Sequence, residues 1–342
     1  MPAPDRLAPT QIEREDWPDG SVLLHNRAPL PEPLLDILDR FDHWVAQDPD
    51  APFISERDNG DIRTTRYGEM DRHSDALAHH LVSCGLTKGD RVAVIGGAGA
   101  LHAALKLACL KTGLVHVPLS PLLLTSAHGR DRLQGLLTAA GPRLTVVPTQ
   151  ALPEGLAAYC GTVVDPAALS AIAPTDTPFE RPAADPADPA AIYFTSGSTG
   201  DPKGVSVTRR MIASCQSAYG VHWPFLAAHR PALIDWLPWH HVFGGLDNFH
   251  KMIWYGGAYH VEEPPGPDNM DASAARIRDV RPTIHINVPY GIDLLLDHLA
   301  DDADTCAALF ARLDLIFFAG AGMGTRTWQR LQDAVAAGPH GP

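Results

Sequence analysis

Short apolar runs that read as strands alternate with helix-like runs through most of this 342-residue chain, and no other feature limits its fold as strongly. Arg91–Ile95, Val115–Val117 (stopped by Pro118), Leu144–Val147, Thr162–Val164 and Ile192–Thr195 read as strands in the first part. Leu233–Leu237, Ala258–Val261, Thr283–Asn287 and Leu315–Ala319 do so in the second. Ala100–Lys111, closed by Gly113, and later Asp271–Val280, Tyr290–Leu299 and Arg326–Ala337 carry helical signals. Strands that are apolar on both faces need cover on both sides. Strands alternating with helices supply it as a mainly parallel sheet in an α/β fold.

Residues 173–190 hold five prolines among Ala, Asp and Thr and read as the linker between the two parts. Before the first part, Leu34, Ile37, Leu38, Phe41, Trp44 and Val45 share one helical face, and Asp58-Asn59-Gly60-Asp61 is a hairpin signal. Residues 1–30 show weak periodicity and read as a loosely packed N-terminal extension. The formal net charge of −13 argues against a nucleic-acid or anionic-membrane surface. The five cysteines, Cys84, Cys109, Cys160, Cys215 and Cys306, are odd in number and widely spaced, which points to a reducing cytoplasm. Met1-Pro-Ala-Pro lacks a signal-peptide core, and the apolar stretch from Val92 to Leu110 is broken by His102 and Lys106, so no membrane span is expected.

Thr195-Ser196-Gly197-Ser198-Thr199-Gly200 follows a strand directly, with Lys203 and Gly204 close behind. Small residues let backbone N–H groups turn toward an anion, the hydroxyls add donors, and Lys203 adds a full positive charge. That set suits a polyphosphate, although the same composition also serves a plain Ser/Gly turn. It is not the common nucleotide P-loop, because Pro202 precedes the lysine and Gly204 follows it. The dinucleotide fingerprint fails too: His102 stands where Gly97-Ala98-Gly99 would need its third glycine. A second segment, Asp235-Trp-Leu-Pro-Trp-His-His-Val-Phe-Gly-Gly245, begins as a strand, breaks at Pro238, and presents histidines, aromatics and two glycines that permit close approach. His240, His241 and His250 have neither helical His-x-x-x-His spacing nor a carboxylate partner, so no metal site is expected.

The stretch from Tyr193 to Gly204 resembles the signature of the adenylate-forming enzymes, a superfamily that includes the AMP-forming acyl-CoA synthetases. The resemblance implies two stacked, mainly parallel sheets with helices on their faces. It implies that Thr195, Ser196, Gly197, Ser198, Thr199, Gly200 and Lys203 hold ATP phosphates, with Lys203 and His241 serving catalysis and His241 near the substrate carboxylate. Trp239, Phe243, Gly244 and Asn287 would bound the acyl slot, and Ala319-Gly320-Ala321 would pass between acyl group and adenine. The Trp239–Gly245 string is most similar to feruloyl-CoA synthetases, which usually carry Asn at the position of His240 and Thr at that of Val242.

The implied reaction activates an aromatic, feruloyl-like carboxylic acid with ATP and Mg²⁺ to an acyl-adenylate and then an acyl-CoA. CoA is a cosubstrate, and no tightly bound cofactor is expected. The resemblance also allows two alternatives, an adenylation enzyme that loads a carrier protein or a non-catalytic remnant that binds nucleotide or acyl group. It runs from about residue 15 to 337 and organises residues 31–342 as a partial AMP-binding domain. One sheet subdomain covers about 65–225, and the other about 35–64 plus 226–342. The family's later Tyr-Gly-x-Thr-Glu strand, ribose aspartate and lysine-bearing C-terminal domain have no counterpart. The expectation is therefore a truncated chain that is inactive alone and prone to self-association.

Overall fold

The computed structural model describes residues 7–9, 11–32, 34–58, 60–195, 203–264, 266 and 268–338. Its strands are β1 (Ile12–Asp16), β2 (Val22–Asn26), β3 (Pro52–Asp58), β4 (Asp61–Arg66), β5 (Arg91–Ile95), β6 (Val115–Leu119) and β7 (Leu144–Val146). They continue with β8 (Thr162–Val164), β9 (Pro189–Thr195), β10 (Lys203–Thr208), β11 (Ala232–Asp235), β12 (Ala258–Val261), β13 (Ile284–Asn287) and β14 (Leu315–Phe318). Two six-stranded sheets form, in the orders β10-β9-β6-β5-β7-β8 and β14-β13-β11-β12-β3-β4. Each is parallel except at one edge, where β10 runs against β9 and β4 against β3.

One large core, containing Phe53, Ile54, Val92, Val94, Leu233 and Tyr259, joins the facing sides of the sheets. Helices Tyr67–Ser83 and Ala100–Thr112 pass through it. The outer face of the first sheet is covered by helix Ala127–Ala140, whose Leu133 and Leu137 pack on Ala93 and Val117. The outer face of the second sheet is covered by Met270–Val280, Pro289–Leu299 and Ala303–Phe310. This is the stacked α/β arrangement that the alternation and the resemblance imply. Among the described residues, no helix is long and apolar enough to cross a membrane.

Local chemistry explains the boundaries. Helix Ala100–Thr112 stops at Gly113, which takes a left-handed φ of 73°. Helix Ile37–Gln47 starts at Asp36, whose carboxylate accepts from Leu38 N, while Asp39 reaches back to the Asp36 N–H as a capping box. Asp36 also takes the Arg209 guanidinium at 2.6 and 2.7 Å, tying this helix to Arg209–His222. One expectation needs correction. Strand β6 does not stop at Pro118 but runs on to Leu119: its ladder with β9 is registered only at His116–Ala191, so the missing proline N–H falls where that ladder has no rung. Within the N-terminal extension, residues 12–26 form the antiparallel ribbon β1–β2, most of whose residues are exposed. That ribbon exposes Ile12 and Leu24 and is fastened by Ala8 N to the His222 carbonyl (2.9 Å) and Asn26 to the His222 ring (3.2 Å).

Helix Ala100–Thr112 lies between the sheets, so it buries polar side chains along with apolar ones. Lys111 is satisfied by Asp71 and Asp75 at 2.7 and 2.6 Å. Lys106 has no such acid among the described residues: it donates to the Gly245 carbonyl and lies over the rings of Phe249 (4.1 Å) and Trp239 (5.3 Å). Burial drives its pKa far below the usual lysine range. His102 Nδ1–H donates to the Gly97 carbonyl at 2.8 Å, which makes its Nε2 the acceptor for His116 Nε2–H at 2.9 Å.

Burial holds His102, His250 and His260 down to about 3 and His285 to about 4, so all four are neutral in the fold. In the unfolded chain they bind protons near pH 6.5. Between those values the unfolded state holds more protons, so stability rises with pH and is lost as pH falls below about 6.5. Each of these histidines then costs about 2 kcal/mol by pH 5. Scanning calorimetry from pH 7.5 to 5.0 should show Tm falling by about 10 °C or more; a constant Tm would contradict this account.

Candidate active site

Strands β9 and β10 form a hairpin whose last registered pair is Thr195–Lys203. The pairing brings the hydroxyl residue and the cation opposite each other at the mouth of the 196–202 connection. Ser196, Gly197, Ser198, Thr199 and Gly200 lie outside the described residues. The strand leading into this mouth is firmly seated, since Tyr193 is 1% exposed and packs in the central core.

The aromatic–histidine segment is set by a buried carboxylate at the end of β11. Asp235 accepts from Leu237 N (2.8 Å) through one oxygen, and from Asn248 Nδ2 (2.8 Å) and Tyr259 hydroxyl (2.6 Å) through the other. Burial raises its pKa, and these donors oppose that shift. The Tyr259 hydroxyl in turn accepts from Trp239 Nε1 at 2.9 Å. Trp239, expected on the acyl slot, is therefore core: it is fully buried, with edge-on contacts to His102, Phe249 and Tyr259.

After Trp239 the chain turns, with His241 N donating to the Pro238 carbonyl at 3.1 Å, and enters a π-helical stretch, Val242–Asn248. Such stretches are rare and concentrate at functional sites. Here the glycines explain the close packing, because a Cβ on Gly245 would run into the Trp239 carbonyl and one on Gly244 into that of Leu237. Gly244 is thus buried behind the segment, while His241 is exposed at its start, its ring 4.4 Å from that of His240. Burial, and secondarily the His241 charge, lowers His240 to about 4.

The other face of the π-helical stretch bounds a cavity of about 530 Å³. Val242, Phe243 and Leu246 form one wall, and Phe317, Ala319 and Gly320 a second. Val207 of β10 with Ile212, Gln216 and Tyr219 of helix Arg209–His222 forms a third. Phe243 meets Phe317 edge-on at 5.8 Å. Of the residues expected at an acyl slot or adenylate site, Phe243, Ala319 and Gly320 come together here. Ala321 is exposed and is not part of this lining. Asn287 does not belong to it either, because its Oδ1 is held by Trp236 Nε1 (3.0 Å) and Val288 N (2.8 Å) beside a separate small recess.

One polar group on the lining escaped the sequence reading. Asp247 pairs with the fully buried Lys251 at 2.9 Å and accepts from Tyr219 hydroxyl at 3.1 Å, and Lys251 lies 4.1 Å over the Tyr219 ring. The i,i+4 spacing of Asp247 and Lys251 was visible in the sequence. Its burial was not, because the helix that covers it, Arg209–His222, shows no clean apolar stripe.

Comparison with known proteins bears on the family and the fold. The chain is 34% identical over 209 residues to an isonitrile lipopeptide synthase of Mycobacterium tuberculosis, a match covering 61% of this chain and 8% of that protein. It is 29% identical over 264 residues to the phenyloxazoline synthase MbtB of Mycolicibacterium paratuberculosis, covering 76% of this chain and 21% of the other. The chain thus spans only a small part of the length of these curated relatives. Among solved structures, the N-terminal subdomain of NpsA from Klebsiella oxytoca, in complex with 3-hydroxyanthranilyl-AMSN, superposes with a TM-score of 0.71 at 24% identity, covering 88% of this chain and 71% of that one. The family described as AMP-binding enzyme matches residues 41–340, and the chain belongs to that family.

Proposed function

We propose that this chain binds ATP with Mg²⁺ and an apolar or aromatic carboxylic acid, and that its site serves formation of the acyl-adenylate. The observation that carries the reading is the cavity bounded by Phe243, Phe317 and Ala319. It adjoins β10, the strand that starts at Lys203. Val207 on the cavity wall lies four residues along that strand, about 13 Å at the usual rise.

In this reading the acid's carboxylate attacks the α-phosphorus of ATP and pyrophosphate leaves. Charge that develops on the phosphates is met by fixed donors, namely the 195–200 backbone and hydroxyls and the Lys203 ammonium. His241, which precedes Val242 of the cavity wall in the chain, orients the carboxylate in this reading. Phe243 and Phe317 offer edge and face to a flat acyl group. A feruloyl-like acid is one member of the class that such walls suit.

The activated acyl group then passes to a thiol, either of CoA or of a carrier-bound pantetheine. Similarity to a lipopeptide synthase favours the carrier, and the resemblance of the Trp239–Gly245 string to feruloyl-CoA synthetases favours CoA. Mass spectrometry of the products formed from acid and ATP with each acceptor separates the two.

Two substitutions test the site. Lys203→Ala should weaken MgATP binding about tenfold or more, through loss of a charge-assisted contact to phosphate, as read by calorimetric titration. Ala319→Trp should fill the cavity and cut affinity for cinnamate by more than about tenfold, since overpacking a filled wall costs at least 1–3 kcal/mol. Undiminished cinnamate binding by Ala319→Trp would move the acid site elsewhere.

A further inference from the structure

Acids on and beside helix Ile37–Gln47 are committed one by one to arginines from elsewhere in the chain. Asp36 takes Arg209 at 2.6 Å, Asp42 takes Arg181 at 2.7 Å, and Asp48 takes Arg230 at 2.9 Å. Asp39 accepts from Asp36 N at 3.1 Å as part of the capping box. Arg40 of the same helix is left without an acid partner among the described residues. Its Nε donates to the Trp254 carbonyl at 3.0 Å, and its guanidinium lies 5.2 Å from the centroid of the Trp44 ring. The two Nη nitrogens bond no described residue, and neither is shut off from solvent. Burial lowers the Arg40 pKa, and no carboxylate among the described residues opposes the shift.

Arg40 lines a cavity of about 530 Å³ that is separate from the acid cavity. Helix Arg209–His222 stands between the two: Ser217, Gly220 and Val221 line this one, and Ile212, Gln216 and Tyr219 line the other. Leu34, Trp44, Val221, Leu226 and Trp254 make most of its surface apolar. Its basic groups are Arg40, His229 and Arg230, and no carboxylate is part of the lining. The Arg230 guanidinium lies 5.0 Å from the Trp44 centroid, so two guanidiniums share one indole. His229 pairs with Asp314 at 2.6 Å and Arg230 with Asp48, which leaves the Arg40 charge unanswered. A partly desolvated cation beside a like charge is costly unless an anion meets it.

We infer that this cavity is a second ligand site, and that it takes a small free anion with an apolar body: a carboxylate, sulfonate or phosphate monoester on an alkyl or aryl group. The head accepts from the Arg40 Nη pair, whose fork suits two oxygens of one anion. The body lies on Trp44, Val221 and Leu226 and leaves water. A bare inorganic anion gains nothing from those walls, and an uncharged or cationic amphiphile leaves Arg40 unmet. The inference does not depend on the acid-site reading, because the two cavities have no lining residue in common.

The test is calorimetric titration of the purified chain with octanesulfonate, which has no carboxylate to activate, beside octanol and octyltrimethylammonium. Octanesulfonate should bind about tenfold or more tightly than octanol, through charge-assisted bonds to the guanidinium. Octyltrimethylammonium should bind more weakly than octanol, and the preference for the anion should shrink with added salt. Binding should persist in Ala319→Trp, which fills the acid cavity. Arg40→Met should cut octanesulfonate affinity about tenfold or more, to the level of octanol, and Arg40→Lys should restore part of it. Val221→Trp leaves every charge in place and should weaken octanesulfonate and octanol together by filling the cavity. A thermal melt of each variant checks that it is folded. No binding of octanesulfonate to the unaltered chain overturns the inference. Binding that Val221→Trp leaves intact lies elsewhere, in the acid cavity if Ala319→Trp removes it, and overturns the inference as well. If octanol binds as tightly as octanesulfonate, or if the preference survives in folded Arg40→Met, Arg40 selects nothing and the inference fails.

Discussion

Asp235 sits where the chain leaves the second sheet, and its carboxylate decides where the following thirteen residues go. Its two oxygens hold Leu237 N, Asn248 and Tyr259, and Tyr259 holds the Trp239 indole. The start and the end of the π-helical excursion are thereby fastened to one point beneath it. Burying a carboxylate is expensive unless its lone pairs are met, and here each oxygen has at least one short donor. Removing one donor would leave a buried acceptor short of a partner, which typically costs about 1–3 kcal/mol. The exposed face of the excursion can then be chosen for ligand contact, because the buried face alone fixes its path.

The same segment is held from below by a different device. Helix Ala100–Thr112 carries two buried lysines five residues apart. Lys111 pairs with Asp71 and Asp75, whereas Lys106 is pressed into an apolar niche and bonds a backbone carbonyl. Burial drives its pKa down, and the Lys106 stem packs as an apolar side chain while its nitrogen donates to a carbonyl. It bonds Gly245, where no side chain could be fitted. A helix between the sheets thus registers the first sheet's layer against the loop that serves the second.

Much of this was legible in the sequence, for identifiable reasons. Strand–helix alternation imposes covered parallel sheets, so β5, β8 and β12 could be bounded from apolar runs alone. Helices Tyr67–Ser83 and Arg209–His222 were not legible, because they bury charged and polar residues that meet partners far along the chain. Arg209, for example, reaches Asp36 and the Leu110 carbonyl. At the site, Phe243, Ala319 and Gly320 were found through motif position and do converge on one cavity. Trp239 and Asn287 belong to the same motifs but point their polar atoms inward, to Tyr259 and to Trp236. Motif position picks out the loops that border the cavity, while the direction of each side chain depends on the partner its polar atom finds. Gln216 and Asp247 were missed as cavity residues because they meet only where helix Arg209–His222 crosses the π-helical stretch, a contact that no local pattern encodes.

That crossing also links the two halves of the site mechanically. Helix Arg209–His222 begins at the end of β10, where the Thr208 hydroxyl accepts from Met211 N, and β10 begins at Lys203. At its other end the helix contributes Gln216 and Tyr219 to the cavity. Its path is further fixed by the Tyr255 hydroxyl, which donates to the Gln216 carbonyl at 2.5 Å. Lys203 and the polar corner of the cavity are therefore two ends of one strand–helix unit, and that unit is clamped at its middle by the Arg209–Asp36 pair. A strand and a helix of ordinary stiffness hold their ends at a set separation. The separation between Lys203 and the polar corner of the cavity is then a property of the fold itself.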